Sequence, residues 1–261
     1  MDIEAGGKTD VGKVRDSNED SLLIDVDLGL FAVADGMGGH AAGEVASSLA
    51  LEVLREHVAK AEPEAAVTDT LRQAIVAASH AVAAEAAEDP SKGRMGTTLT
   101  ALLVRAPQAA VGHVGDSRLY QVRWGHVAKL TDDHTAVAEI VRAGGLKEEE
   151  AKGHPWAHVL SRVVGKGDVE VQTALIDLQP GDRFLICSDG FSDSLADPQW
   201  ITGIAEKSPT ESAAELVSRA VGLDGQDNAT AVVVAVGSQS ARRDRKSLWG
   251  RLRDSVRKSQ S

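Results

Sequence analysis

Four aspartates stand where apolar runs give way to small or amide residues: Asp35 in Asp35-Gly36-Met37-Gly38-Gly39, Asp116 in Asp116-Ser117-Arg118, Asp189 in Asp189-Gly190, and Asp227 in Asp227-Asn228. Taken singly, such pairs are ordinary turn chemistry, because a short carboxylate can hydrogen-bond the backbone that follows it. Recurring along the chain, they point to carboxylates gathered at the same ends of packed strands, where they repel one another and lose hydration unless a cation joins them. One cysteine, Cys187, and no convincing histidine cluster leave oxygen ligands, which suit Mg²⁺ or Mn²⁺ rather than zinc or copper. Glycines beside Asp35 and Asp189 allow close backbone approach, so a carbonyl can join the coordination shell.

The elements that must position these groups are legible from hydrophobic spacing. Segments 22–24 and 30–34 read as short strands punctuated by Gly29. Val45, Leu49, Val53, Leu54 and Val58 recur at helical spacing and predict a helix over about 43–60. A second helix, with Pro63 near its start, aligns Val67, Leu71, Ala74, Ile75, Ala78 and Val82 on one face. Segments 97–104, 109–114, 118–122 and 127–130 then read as strands at hairpin spacing, with turn signals at Pro107, Gly115 and Gly125. A short helix near 135–143 precedes a polar surface excursion over 144–167. Strands at 169–176 and 183–187, a helical pair over about 198–221 and a buried strand at 229–236 complete the body. This order is α+β with antiparallel sheets rather than a repeating βαβ pattern.

In order and spacing, Arg15-Asp16-Ser17-Asn18-Glu19-Asp20, Asp35-Gly36-Met37-Gly38-Gly39-His40, Gly96-Thr97-Thr98, Gly115-Asp116-Ser117-Arg118, Ser188-Asp189-Gly190 and Asp227-Asn228 resemble the motif set of the metal-dependent protein phosphatases of type 2C, in their bacterial form. Any one motif is weak, but the ordered set is specific, and it runs through nearly the whole body. The resemblance implies a four-layer αββα sandwich with a binuclear Mn²⁺ or Mg²⁺ centre at one end. It implies that Asp35 bridges the two ions, that the Gly36 carbonyl and Glu19 serve one, and that Asp189 and Asp227 serve the other. Asp20 would lie behind them or bind through water, and Asp116 with Asp189 would hold a third, weaker ion. Arg15 matches the residue that grips substrate phosphate, and its planar fork suits two phosphate oxygens at once.

The activity implied is hydrolysis of phosphoserine and phosphothreonine in proteins, the substrates of bacterial serine/threonine kinases, by a metal-activated water attacking phosphorus in line. No covalent phosphoenzyme is needed, and Cys187, in an apolar strand without a cationic neighbour in sequence, does not read as a nucleophile. The alternative is a catalytically inactive phosphoprotein-binding module of the same fold, although the acidic set is intact. A hydrolase of other phosphate esters, such as a nuclease, is disfavoured by the acidic body. Eukaryotic members place a histidine directly after the Asp-Gly as general acid, whereas this chain has Met37. Metal-bound water or His40 is left to protonate the leaving group, and His40 equally suits capping or packing against the next helix.

The whole chain has 261 residues with a net charge of −11, 43% hydrophobic and 26% charged, enough apolar material for a buried core built mostly from Ala, Val, Leu and Ile. Apolar runs such as 229–236 are too short to span a membrane. The acidic start, Met1-Asp2-Ile3-Glu4, lacks the positive charge of a secretory signal, so the expectation is a cytoplasmic, monomeric enzyme. Residues 238–261 hold eight basic and two acidic residues, +6, leaving −17 on 1–237. This divides the chain into a catalytic domain, 1–237, and a basic tail, 238–261. In the tail, Leu248, Trp249, Leu252 and Val256 share one face of a helix if one forms, suited to an anionic surface or to the protein's own acidic body. Segment 144–167 aligns with the family's flap beside the active site. His154 and His158 have metal-like spacing that Pro155 argues against, and His57 and His80 read as ordinary helix residues.

Overall fold

Alternating and valine-rich segments become strands, and the computed structural model, which describes residues 1–38, 41–62, 64–88, 95–151, 153–194, 201–203 and 207–237, arranges them in two antiparallel sheets. One sheet has the order β1 (Ile3–Asp10), β11 (Ala229–Val236), β10 (Arg183–Cys187), β7 (Arg118–Arg123) and β8 (His126–Lys129). The other runs β2 (Asp20–Asp25), β3 (Leu30–Met37), β5 (Leu99–Arg105), β6 (Gln108–Val114) and β9 (Gln172–Asp177), with the short β4 (Gly96–Thr97) added to β3. The described helices are α1 (Ala41–Lys60), α2 (Val67–Glu88), α3 (Ala136–Arg142), α4 (Glu148–Ala151), α5 (Asp189–Ser192) and α6 (Pro209–Leu223).

Three apolar layers join these elements into an αββα sandwich. Between the sheets lie Phe31, Val33 and Leu102 from one side and Phe184, Ile186, Val232 and Val234 from the other. The opposite faces of the same strands bury Ala32, Ala34, Ala101 and Leu103 against α1 and α2, and Leu185, Cys187, Ala231 and Val233 against α6. A strand buried on both faces has no solvent side to mark with polar residues, so β3, β5 and β11 carry mostly apolar runs, such as 30–34, 101–104 and 231–236. Their periodicity alone could not separate strand from helix; β-branched content and flanking turns did.

Helix ends follow the local chemistry. The Ser208 hydroxyl accepts from the Glu211 N–H, the Glu211 carboxylate accepts in return from the Ser208 N–H, and Pro209 opens α6 where no donor is needed. The Thr135 hydroxyl accepts from the Ala138 N–H at the start of α3.

The structure departs from the sequence reading at definite places. Strand β1 is not apparent from hydrophobicity, because Gly6, Gly7 and three charged residues dilute its pattern. It is nevertheless fully paired to β11, from Ile3 opposite Val236 to Asp10 opposite Ala229. A Cβ at Gly6 would lie 2.4 Å from the Thr210 backbone, so the glycine that hides the strand is what lets α6 pack on it. The run expected as one strand over 97–104 breaks at Thr98, whose N–H donates instead to the Asp35 carbonyl. The helical pair expected over 198–221 is described as α6 and a single turn at 201–203, with 207–208 leading into α6; 198–200 and 204–206 lie outside the described residues, as do Pro63, His40 and the tail.

Phe31 and Phe184 are fully buried between the sheets. Phe31→Ala should therefore destabilise the protein by about 3–5 kcal/mol, whereas Trp124→Ala, on a residue 79% exposed, should stay within about 0.5 kcal/mol in urea unfolding. Equal effects would contradict the layer assignment.

Candidate functional site

Strand register brings the acidic residues together. Asp20 opens β2 directly opposite Asp35 in β3; Asp116 follows β6; Asp189 follows β10; Asp227 precedes β11. β2, β3 and β6 belong to one sheet and β10 and β11 to the other, so the carboxylates converge only because the sheets pack face to face. They open into a cleft of about 690 Å³ lined by Arg15, Glu19, Asp35, Gly36, Asp116, Asp189 and Asp227, with Met37, Thr98, His158, Lys166 and Asn228. Every residue expected at the site lines this cleft except Asp20, which is 7% exposed and lies beneath it.

Backbone hydrogen bonds hold the acidic residues at fixed positions. The Asp35 N–H donates to the Thr98 hydroxyl at 2.9 Å, and the Thr97 hydroxyl and Thr98 N–H both donate to the Asp35 carbonyl. The Gly36 N–H donates to the Glu19 carbonyl, and a Cβ at Gly36 would sit 2.1 Å from the Gly43 carbonyl. Only glycine permits that approach of α1 to the strand end. The turn carrying Asp116 is held by a mutual pair: the His134 N–H donates to the Gly115 carbonyl, and the Gly115 N–H donates to His134 Nδ1. Beside it the Arg118 guanidinium grips both oxygens of Asp133.

Asn228 is a positioning residue that its turn-like sequence context disguised. Its Oδ1 accepts from the Glu19 N–H at 2.8 Å, while its Nδ2 donates to the Val11 and Ser17 carbonyls. One buried amide therefore fixes the loop bearing Arg15 and Glu19 against the strand bearing Asp227. Arg15 itself donates to Asp227 Oδ2 at 2.7 Å.

Electrostatically the cleft is under strain without a cation. Asp35 is held well above the usual carboxylate range, first by burial and then by the negative charge of Asp20 and Asp189. Asp20 is pushed up to about 7, mainly by burial, against hydrogen bonds from Thr230 and Ser188 that favour its charged form. Asp116 rises to about 8 through burial and the nearby Asp189, Asp133 and Asp193. Oδ1 of Asp20 is buried with no hydrogen-bond partner. Hard oxygen donors, mutual repulsion and an orphaned carboxylate oxygen are together the donor chemistry that Mg²⁺ or Mn²⁺ takes.

Other candidates resolve differently. His154 and His158 do not act together: 155–158 is a turn, His154 packs edge-on to Trp156, and His158 Nδ1 faces Asp193 at 3.8 Å. His158, Asp189 and Asp193 place one ligand atom each within 4.8 Å of one another, a grouping invisible in sequence because His158 lies in the flap, 31 positions before Asp189. His80 pairs with Asp168 at 2.9 Å, and His57 is remote from the cleft. Cys187 is fully buried, with its thiol pushed up by desolvation and facing the Arg118 carbonyl, consistent with an inert core residue.

The family model for protein phosphatase 2C matches residues 13–241. The chain belongs to the protein phosphatase 2C family. Among its curated relatives, the serine/threonine protein phosphatase PstP of Mycobacterium tuberculosis is 39% identical over 234 residues, covering 90% of this chain; the chain spans only 45% of that relative's length. The serine/threonine phosphatase stp of Listeria monocytogenes is 33% identical, with 89% of this chain and 95% of stp covered. A crystal structure of the PstP catalytic domain in complex with two manganese ions superposes with a TM-score of 0.81 at 37% identity, covering 90% of this chain and 99% of that one. The phosphatase 2C fold thus accounts for the two sheets and flanking helices described above.

The raised carboxyls set the direction of a pH effect. Asp20 and Asp116 hold protons in the folded, metal-free protein up to about pH 7 and 8, well above the unfolded value of 3.8. Their contribution to stability is therefore present at acid pH and lost as pH rises through that window. Thermal unfolding in EDTA should show a falling midpoint between about pH 5.5 and about pH 8.5, and added Mn²⁺ should raise the midpoint more at the higher pH. A Mn²⁺ shift independent of pH would count against these carboxyls as the site of binding.

Proposed function

We propose that the chain is a metal-dependent protein serine/threonine phosphatase, hydrolysing phosphoserine and phosphothreonine in protein substrates. The observation that carries this reading is the convergence of Glu19, Asp35, Asp116, Asp189 and Asp227 with Arg15 in one cleft, built at the ends of both sheets. Asp35 would hold both of two Mn²⁺ or Mg²⁺ ions, with the Gly36 carbonyl and Glu19 on one and Asp189 and Asp227 on the other. Asp20, hydrogen-bonded from Ser188 at 2.8 Å, would hold Asp35 and the ions in place from beneath. Asp116 with Asp189 would take a third ion. Bound cations supply Lewis acidity and a water of lowered pKa at neutral pH.

The chain's own groups account for the remaining steps. Arg15, 55% exposed at its side chain, presents donors to the cleft beyond the one given to Asp227, so it can take a phosphate oxygen while staying anchored. Asn228 keeps that guanidinium and Glu19 in fixed relation. Met37, which lines the cleft where eukaryotic members place histidine, cannot donate a proton. Leaving-group protonation therefore falls to solvent in the open cleft or to another residue. Residues 1–237 would form the catalytic domain and 238–261 a separate basic tail, consistent with the family match ending at 241.

The substrates proposed are phosphoproteins made by serine/threonine kinases. Among the described residues no helix is long and apolar enough to cross a membrane. A cytoplasmic setting agrees with the single buried cysteine. The inactive-module reading gains nothing from the cleft, in which no acidic ligand position is missing.

Turnover of a phosphothreonine peptide should require Mn²⁺ or Mg²⁺ and stop in EDTA. Asp35→Ala should lower kcat by more than the roughly 10- to 100-fold typical of groups that merely support metal ligands. Arg15→Ala should act chiefly on KM, by about tenfold. Release that survives chelation or Asp35→Ala would refute the metal mechanism, and phosphopeptide binding without release would favour the inactive module.

A further inference from the structure

Among the residues lining the cleft, Lys166 is the cation that neither the metal centre nor Arg15 accounts for. It is exposed and, among the described residues, has no ion-pair or hydrogen-bond partner, whereas Arg15 is engaged by Asp227. It also stands on a rigid mount rather than a free loop. The neighbouring Val164 exchanges both backbone hydrogen bonds with Thr97 at 3.0 Å, and Thr97 in turn binds the Asp35 carbonyl. On either side of Lys166 the hydroxyl of Ser79, fully buried in α2, accepts from the Gly165 N–H at 3.0 Å and donates to the Gly167 carbonyl at 2.6 Å. One serine thus clamps the backbone on both sides of Lys166 and ties it to the helix behind the sheet.

The two cations approach the cleft from different sheets. Arg15 is paired with Asp227 at the start of β11, while the segment carrying Lys166 is bridged through Val164 to Thr97 in β4, itself paired to β3. A phosphate monoester held by Arg15 and the acidic centre has only its own oxygens to offer, and these are already in use. An ammonium carried at the cleft on a clamped backbone, in a body carrying −17, is placed to meet what extends from the scissile phosphoester along the substrate chain.

We propose that Lys166 is a specificity-determining residue that receives an anionic group flanking the scissile phosphoresidue, either a carboxylate side chain or a second phosphate. This rests on the phosphatase reading and adds to it a substrate class: phosphoproteins whose dephosphorylated residue has an acidic or phosphorylated neighbour. Without such a lysine, the acidic body would repel these substrates; with it, a local attraction offsets that repulsion at the point of contact.

The test compares kcat/KM of the full chain with Mn²⁺ on phosphothreonine peptides with neutral flanks, with flanking Asp or Glu, and with a second phosphothreonine, alongside p-nitrophenyl phosphate. In Lys166→Ala the ratio of acidic-flanked to neutral peptide should fall about 3- to 10-fold, the range for an exposed charge pair contacting substrate. Lys166→Arg should retain most of the ratio, and Lys166→Glu should lower it further and favour basic flanks. The carboxylate and phosphate arms identify which anion is received. An unchanged ratio in Lys166→Ala and Lys166→Glu overturns the proposal, as does a loss equal on all substrates including p-nitrophenyl phosphate, which would place the lysine on the scissile phosphate itself. Wild-type turnover of p-nitrophenyl phosphate reports the metal centre independently, so its absence would refute the phosphatase reading rather than the assignment of Lys166.

Discussion

Repulsion among carboxylates at the shared end of two sheets is the constraint to which the rest of the structure answers. Burial and then neighbouring carboxylates, Asp189 among them, raise the proton affinity of Asp20, Asp35 and Asp116, and among the described residues one oxygen of Asp20 is buried without a partner. Such an arrangement opposes folding by itself. It persists because the surrounding framework over-determines it: mostly apolar strands, a phenylalanine-containing layer between the sheets and helices covering both outer faces. The stability of the sandwich offsets the cost of the site, and a divalent cation removes that cost.

The positioning groups around the cleft are mostly neutral and mostly bound to backbone. Thr97 and Thr98 hold Asp35, Asn228 holds Glu19 and the Arg15 loop, and Ser188 meets Asp20. Neutral donors suit this work, because a fixed cation near the proposed ligands would compete with a divalent ion for the same carboxylates. Arg118 is kept from doing so by its bidentate engagement with Asp133. Lys166 stands apart from this network: its backbone is clamped by Ser79, but its charge is left for something that arrives from solvent.

How much of this was legible beforehand depended on whether the signal was local. The amphipathic stripe of α2 and the strands β10 and β11 are written in neighbouring residues and are legible close to their observed limits. Strand β1 is not, because Gly6 serves a contact with α6 made over 200 residues away and Gly7 faces the side chains of Leu22, Ile24 and Val232. The acidic ligand candidates were legible because Asp-Gly and Asp-Asn pairs at strand ends recur in a specific order. Asn228, Thr98 and Ser188 were quoted within those motifs, but their work as fixings could not be seen. A hydroxyl or amide acquires a role only from the partner that folding sets beside it.

The sequence by itself therefore determined the family, the α+β class, the residues with the chemistry to hold divalent cations and the division between an acidic body and a basic tail. Each of these follows from residue type and order, which no folding step alters. Tertiary structure alone decided that Asp35 and Asp20 face each other in register while Asp189 and Asp227 arrive from the opposite sheet. It also decided that Asp20 lies beneath the cleft rather than in it, that His158 turns toward Asp193 and that Lys166 is presented at the cleft wall. The physical reason is that strand pairing and sheet packing are long-range. They convert residues far apart in the chain into a single electrostatic environment, and only there do charge, burial and orientation acquire the values on which the chemistry depends.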